Sequence, residues 1–293
     1  MSVIWIVFLI FFMVVLPIFW VSPGRMSSKA KETALFFKGR HFAHRGLYEK
    51  DQSIPENSLA AFAAARAAGY GVELDVQLTR DEQVVVFHDD SLKRVCGVEE
   101  RVDAWTWADL QKLALFGGNE KIPLFSKTLE ILGDTPVIVE LKSAGKNNAL
   151  LCRKTLALLR EKGEHWCVES FDPRIVFWFR RNAPDVLRGQ LSAPSDVFHH
   201  LSKLAAFAMS RLLGNVAARP HFIAYQVAKK PLLVRLCYAL RPMKVVWTVT
   251  PDLNPELYPL ENDAVIFEHY HPMTCYETTK EKRDSSRGKK SVG

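Results

Sequence analysis

Glu73 and Asp75 stand two residues apart in GVELDVQL, and Glu140 and Lys142 stand two apart in PVIVELK. Alternate residues of a strand share a face, so each pair projects together while Val72, Leu74 and Val76, and Val137, Val139 and Leu141, point the other way. Three carboxylates brought to one place repel one another and resist burial unless a cation or protons intervene. Oxygen ligands alone favour a hard cation, Mg2+ or Ca2+, over zinc. His44 and Arg45 follow a further apolar run, HFAH, and His88 ends another, VVVFHDD. One histidine at a strand end is more often structural than chemical; the succession of such residues on consecutive runs is what singles these out.

The elements that must position them form an α/β pattern. Between residues 41 and 270, short apolar runs alternate with helical stretches, as expected of a (β/α)8 TIM barrel, whose strands open on one face at their carboxyl ends. The strand candidates are 41–44, 72–78, 84–88, 136–142, 165–170, 186–191, 221–226, 244–249 and 264–269, one more than a barrel of eight needs. HFIAYQ (221–226) is set aside, because it follows an insertion and precedes a short helix; VVVFH (84–88) is kept as the third barrel strand. Helices are expected at 57–69, with Asn57 as N-cap and Gly69 as the stop, and at 106–113, 147–163 and 172–184. An insertion, 195–215, places Val197, Leu201, Leu204, Ala208 and Leu212 on one helical face, suited to packing on the barrel or to lying on a bilayer. Its His199 and His200 are adjacent and point apart, which argues against a shared metal site.

The chain ends carry the charge. Residues 25–40 and the tail from Lys280 each contribute +4 to the net +7, so the body is near neutral and a nucleic-acid groove is not expected. Residues 3–21, VIWIVFLIFFMVVLPIFWV, lack any charge and approach the ~20 residues needed to cross a bilayer. The expected organisation is an N-terminal transmembrane helix within 1–24, a basic juxtamembrane linker at 25–40, a barrel at 41–276 and a disordered basic tail at 277–293. The basic cluster follows the span, which predicts a single-pass protein of the cell membrane with its catalytic domain in the cytoplasm. Five cysteines, odd in number and without a CxxC, agree with free thiols in a reducing compartment.

From His41 to about Tyr276 the chain resembles the glycerophosphodiester phosphodiesterase family. The resemblance is carried by AHRG (43–46), PEN (55–57), ELDVQLTRD (73–81), HDDSLKR (88–94) and VELK (139–142), with weaker support from SF (170–171) and WTV (247–249). It implies a TIM barrel and a divalent cation, Mg2+ or Ca2+, with hydrolysis of a phosphodiester to an alcohol and glycerol 3-phosphate. By that resemblance Glu73, Asp75 and Glu140 are the metal ligands and His44 and His88 the acid/base pair. Arg45 and Lys142 hold the phosphate, Glu56 orients Arg45 or completes the metal shell, and Trp247 lies at the substrate edge. The substrate expected is a glycerophosphodiester or, in a lysophospholipase D, a lysophospholipid; the alternative outside enzymes is a silent barrel that binds lipid headgroups. The sequence departs from the family where Glu268 and His269 replace an expected threonine and aspartate after the last strand, and where TVT replaces TVN after Trp247.

Overall fold

A computed structural model of the chain describes Trp5 and residues 11–143, 147–199 and 201–277. Nine strands occur among the described residues: β1 (Arg40–His44), β2 (Gly71–Leu78), β3 (Val84–Val86), β4 (Val137–Leu141), β5 (Trp166–Ser170), β6 (Arg188–Ser192), β7 (Phe222–Gln226), β8 (Met243–Val249) and β9 (Ala264–Phe267). All but β3 are parallel neighbours, and β1 pairs with both β9 and β2, so eight strands close into a barrel. The helices that cover it bury apolar faces against Val72, Leu74, Val76, Val137, Val139 and Leu141, as the alternation requires.

Two strand expectations exchange places. HFIAYQ is a barrel strand, β7, paired with β6 and β8. VVVFH is not one: only Val84–Val86 is strand, and it runs antiparallel to β2. The cause is the length of β2. Its first residues pair with β1 on one edge and β4 on the other, but Gln77 and Leu78 extend beyond both. The chain turns at Thr79–Gln83, where Thr79 N–H donates to the Gln83 carbonyl, and β3 then descends along the edge of β2 above the end of β1. An apolar run buried on both faces does not reveal its direction, and so an inserted hairpin reads like a parallel strand. The insertion that follows has its own small core, in which Val85, Phe87, Leu92, Val102, Leu110 and Ile122 meet.

Helix boundaries follow their caps. The helix Leu59–Ala67 is capped by Ser58, whose Oγ accepts from Ala61 N–H at 3.1 Å, and not by Asn57. The helices Asn148–Lys162 and Pro173–Asn182 match expectation, the second capped by Asp172, while 106–113 yields only the turn Trp107–Leu110. The insertion 195–215 is not one continuous helix: a 3-10 turn Ser195–Phe198 and the helix Lys203–Ser210 replace it. Ser202 forms a new N-cap with its Oγ accepting from Ala205 N–H, which explains the break. His199 is exposed, and His200 lies outside the described residues.

Residues 25–40 are more than a linker. Within them the helix Ser28–Phe37 lays Ala30, Ala34 and Phe37 against Phe42, Phe222 and Met243, closing the amino-terminal end of the barrel. Of the apolar run 3–21, residues 3, 4 and 6–10 lie outside the described residues. Among the described residues no helix is long and apolar enough to cross a membrane. The π-helical turn Phe11–Val15 leads into the short helix Leu16–Val21, whose Val21 is buried against Leu212, Val234 and Cys237. The tail, 278–293, also lies outside the described residues, and the five cysteines are free.

Candidate active site

The carboxyl ends of β1, β2 and β4, with the loop after β3, bring the predicted residues together. Glu73, Asp75 and Glu140 each offer one oxygen, and the three lie within 4.8 Å of one another. All three are buried. Burial and the charges of Asp75 and Glu140 push the Glu73 carboxyl well above the usual range. Glu140 is pushed up to about 7 by burial, with Asp75 adding and Lys142 opposing. Such a trio destabilises its own ionised form, and the all-oxygen donor set suits a hard divalent cation, which would remove that repulsion. The residues present therefore fit Mg2+ or Ca2+.

Cationic side chains frame the trio. Lys142 Nζ lies 3.0 Å from Glu140 Oε1 and 3.4 Å from Asp75 Oδ1. Arg45 reaches Glu56 Oε1 at 2.7 Å and places Nε 3.6 Å from Asp75. Burial opposes the charge on Asp75, but Lys142, His88 and Arg45 outweigh it and hold the carboxylate well below its ordinary range. Glu56 Oε1 also accepts from Arg94 Nη2 at 2.6 Å and Oε2 from Arg94 Nη1 at 3.0 Å, so its carboxylate meets both Arg45 and Arg94.

Each histidine is backed by a carboxylate. His44 places Nδ1 2.8 Å from Glu268 Oε2, leaving Nε2 on the side of Glu73 at 3.9 Å. His88 places Nδ1 2.6 Å from Asp89 Oδ1. Glu268 is held down at about 2, where burial is outweighed by His44 and Tyr48; Asp89 also lies well below its ordinary range, its burial outweighed by His88 and Arg94. Two ionised carboxylates can only accept, so both Nδ1 atoms carry hydrogen and both Nε2 atoms keep a lone pair. Burial, followed by the charge of Arg45, lowers the pKa of His44; burial and Lys142 lower that of His88 to about 4. Both rings are therefore neutral near pH 7 before an anion arrives.

Several contributors escaped the sequence reading. Asn57 Nδ2 donates to Asp75 Oδ2 at 2.9 Å, and its backbone takes a positive φ of 54° to do so. Gln77, one strand step beyond Asp75, donates to the carbonyls of Phe87 and Asp89 at 2.9 and 2.8 Å and so clamps the His88 loop. Alternation along ELDVQ was the available signal. Arg94 binds Asp89 and Glu56 together, at five and 38 residues' separation, and nothing local announces the second. Glu268 was noted only as a departure from the family pattern, yet it orients His44. Glu169, beside Glu140 across β4 and β5, is a further buried carboxyl, raised well above its ordinary range by burial, Glu140 and Asp75.

From His88, Glu140 and Lys142 a cleft of about 1050 Å3 runs to a wall made by Phe171, Phe198, Leu201 and Met209, with Asp172 and Arg174 also lining it. Trp247 is not on that lining. Its Nε1 donates to the Ala224 carbonyl at 3.1 Å and its ring meets Phe171 of the wall edge-on, with centroids 5.6 Å apart.

Comparison with known proteins agrees with this architecture. Residues 44–271 match the glycerophosphoryl diester phosphodiesterase family. A glycerophosphodiester phosphodiesterase of Caldanaerobacter subterraneus is 37% identical over 187 residues, covering 59% of this chain and 76% of the relative. A lysophospholipase D of Mus musculus is 34% identical over 160 residues, covering 50% of this chain and 48% of its own length. The chain thus spans about half the length of the lysophospholipase D relatives it matches. An Oleispira antarctica phosphodiesterase solved with its product sn-glycerol-3-phosphate shares the fold at a TM-score of 0.66 and 23% identity, covering 86% of this chain and 99% of that one. With the family match extending from His44, the first residue of the site, to just beyond Glu268, the chain belongs to the glycerophosphoryl diester phosphodiesterase family of enzymes.

Proposed function

We propose that the protein hydrolyses glycerophosphodiesters to an alcohol and glycerol 3-phosphate with a divalent cation, Mg2+ or Ca2+, and two histidines. The observation that carries this reading is the meeting of two carboxylate-backed histidines with the Glu73–Asp75–Glu140 trio and with Arg45 and Lys142 at one barrel mouth. Glu73, Asp75 and Glu140 would hold the cation, which when bound neutralises phosphoryl oxygens. Arg45 and Lys142 draw the anionic diester in and orient it. One histidine Nε2 takes the proton of the attacking oxygen as its bond to phosphorus forms. The other histidine gives a proton to the alcohol oxygen as its bond to phosphorus breaks. The substrate's negative charge raises the basicity of both rings and so favours the imidazolium that the second role needs.

Replacing His44 or His88 by alanine in the full chain should lower turnover of glycerophosphocholine by about 10²–10⁴-fold, the usual contribution of such a group. EDTA should abolish release of glycerol 3-phosphate, with recovery on adding Mg2+ or Ca2+. Undiminished turnover in both variants would remove the histidine mechanism, and turnover indifferent to EDTA would remove the cation. A persistently inactive but folded wild-type chain would favour the silent headgroup-binding barrel.

A second reading, lysophospholipase D activity, is favoured by the apolar wall opposite His88. Phe171, Phe198, Leu201 and Met209 present carbon to whatever extends from the scissile phosphate, which suits an acyl chain better than choline or ethanolamine. We also propose that the uncharged run 3–21 anchors the protein to the cell membrane. The basic residues that follow this run support a catalytic domain on the cytoplasmic side.

A further inference from the structure

The apolar N-terminal run does not leave the barrel in an arbitrary direction. Gly24 N–H donates to the Pro220 carbonyl, Asn215 Nδ2 to the Val21 carbonyl and Trp20 Nε1 to the Leu213 carbonyl, at 2.8, 3.2 and 2.8 Å. Pro220 lies just before the amino end of β7. Met209, whose carbonyl accepts from Ser192 Oγ at the last residue of β6, lies at the opposite, catalytic end. Between them the chain descends from the mouth, and the N-terminal run climbs alongside it in the reverse sense. Followed from Gly24 back through the helix Leu16–Val21, the described part of the run therefore points to the end of the barrel where the cleft opens.

That end has an apolar rim. On the helix Lys203–Ser210, Ala206 and Ser210 face inward and nearby Met209 lines the cleft, whereas Leu204 is 78% and Phe207 45% exposed. Leu232, which begins the helix Leu232–Ala239 that follows β7, is 67% exposed, and on the N-terminal run Met13 is 70% exposed. Arg211 lies over the Phe207 ring at 3.9 Å, so a cation borders that exposed aromatic.

The charge of the body is also divided. Between Val197 and Pro251 there are eight lysines and arginines and no aspartate or glutamate. The body nets −1 outside residues 25–40 and the tail, so its remainder nets −9. The near-neutral body is thus divided along the chain: the segment from Val197 to Pro251, which carries the apolar rim, is cationic, and the remainder is net acidic. Exposed apolar side chains among cations match the interface of a bilayer containing anionic lipid, with Asp196 before the segment and Glu261 beside Lys230 as the acids that border it. A protein partner needs no such continuity with an uncharged run of nineteen residues.

We propose that this rim, Leu204, Phe207 and Leu232 with Lys203, Arg211 and Lys229, rests on an anionic lipid surface. The catalytic mouth then faces the same bilayer that takes up the N-terminal run. This orientation is independent of which diester is cleaved. A lysophospholipid would pass from the membrane into the cleft along the helix that separates Leu204 and Phe207 from Met209.

The test uses the full chain on vesicles of phosphatidylcholine with phosphatidylserine, and reads amide hydrogen exchange. Residues 203–210 and 229–236 should exchange about tenfold more slowly when bound, and the helix Phe125–Leu132, which packs beside β3 away from the rim, should be unchanged. In the double variant Leu204→Asp, Phe207→Asp the protection should disappear, and turnover of vesicle-borne lysophosphatidylcholine should fall about tenfold, as expected from losing two inserted apolar side chains. Turnover of soluble glycerophosphocholine should stay at the wild-type value, which shows that the variant is folded and active. Failure of soluble turnover in the wild type would count against the proposed reaction alone. Unchanged exchange at 203–210 in vesicle-bound wild type would overturn the orientation. So would protection that grows with protein concentration without lipid, which would assign the rim to a second copy of the chain.

Discussion

In the proposed reaction Glu268 would matter to catalysis without touching substrate. Its carboxylate accepts from His44 Nδ1 at 2.8 Å and from the Tyr48 hydroxyl at 2.9 Å, which fixes the tautomer that leaves Nε2 basic. Glu268→Gln should therefore lower kcat about 10–100-fold with little change in KM, as for other groups that orient a catalytic histidine. A steady-state assay checks this, and a rise in KM alone would assign Glu268 to substrate contact instead. Arg94 should behave differently. It donates four hydrogen bonds, two to Glu56 and two to Asp89, so Arg94→Ala leaves the buried Glu56 carboxylate with Arg45 alone. A loss of about 1–2 kcal/mol in unfolding free energy is expected, since Arg94 is itself 44% exposed and water takes over part of its role; urea unfolding measures it.

At the scale of elements, the overhang of β2 decides where His88 goes. The hairpin lets Phe87 N–H bond the Asp75 carbonyl at 3.0 Å, so the histidine arrives beside Asp75 from above the barrel. The barrel wall is less forgiving lower down. A Cβ on Gly189 would sit 2.0 Å from the Phe222 ring on the neighbouring strand, closer than any carbon pair tolerates. Gly189→Ala should cost about 1–3 kcal/mol of stability, the usual range for overpacking, and a thermal melt would register it. The cleft wall belongs to the elements as well, because Phe198 and Met209 come from the two ends of the broken insertion. Phe198→Ala should reduce kcat/KM for lysophosphatidylcholine about tenfold relative to glycerophosphocholine if that wall contacts an acyl chain. Equal losses on both substrates would remove the acyl-chain reading.

For the whole molecule, acid sensitivity follows from two histidines far from the chemistry. His41 and His221 are buried, at 4% and 1% exposure, and burial lowers their pKa values to about 4 and about 3. The unfolded chain binds protons on both near pH 6.5 whereas the folded chain does not, so their contribution is complete above that pH and is lost as pH falls towards 4. The melting temperature should drop between pH 7 and pH 4.5, and His221→Gln should flatten that slope. A slope unchanged by the substitution would place the sensitivity elsewhere. The division of legibility is clearest at this scale. Residue alternation alone specified that Glu73 with Asp75, and Glu140 with Lys142, share a face, since period two is a local property of any strand. The family motifs likewise mark His44, Arg45, Glu56 and His88 by residue type and order along the chain. What only the tertiary structure decided was the pairing of distant residues: Glu268 with His44 across 224 positions, Arg94 with Glu56, and the exchange of β3 for β7 in the barrel. An apolar run fixes which side chains seek burial but not which neighbour supplies it, because hydrophobic burial has no direction, and direction is set only when the strands close on one another.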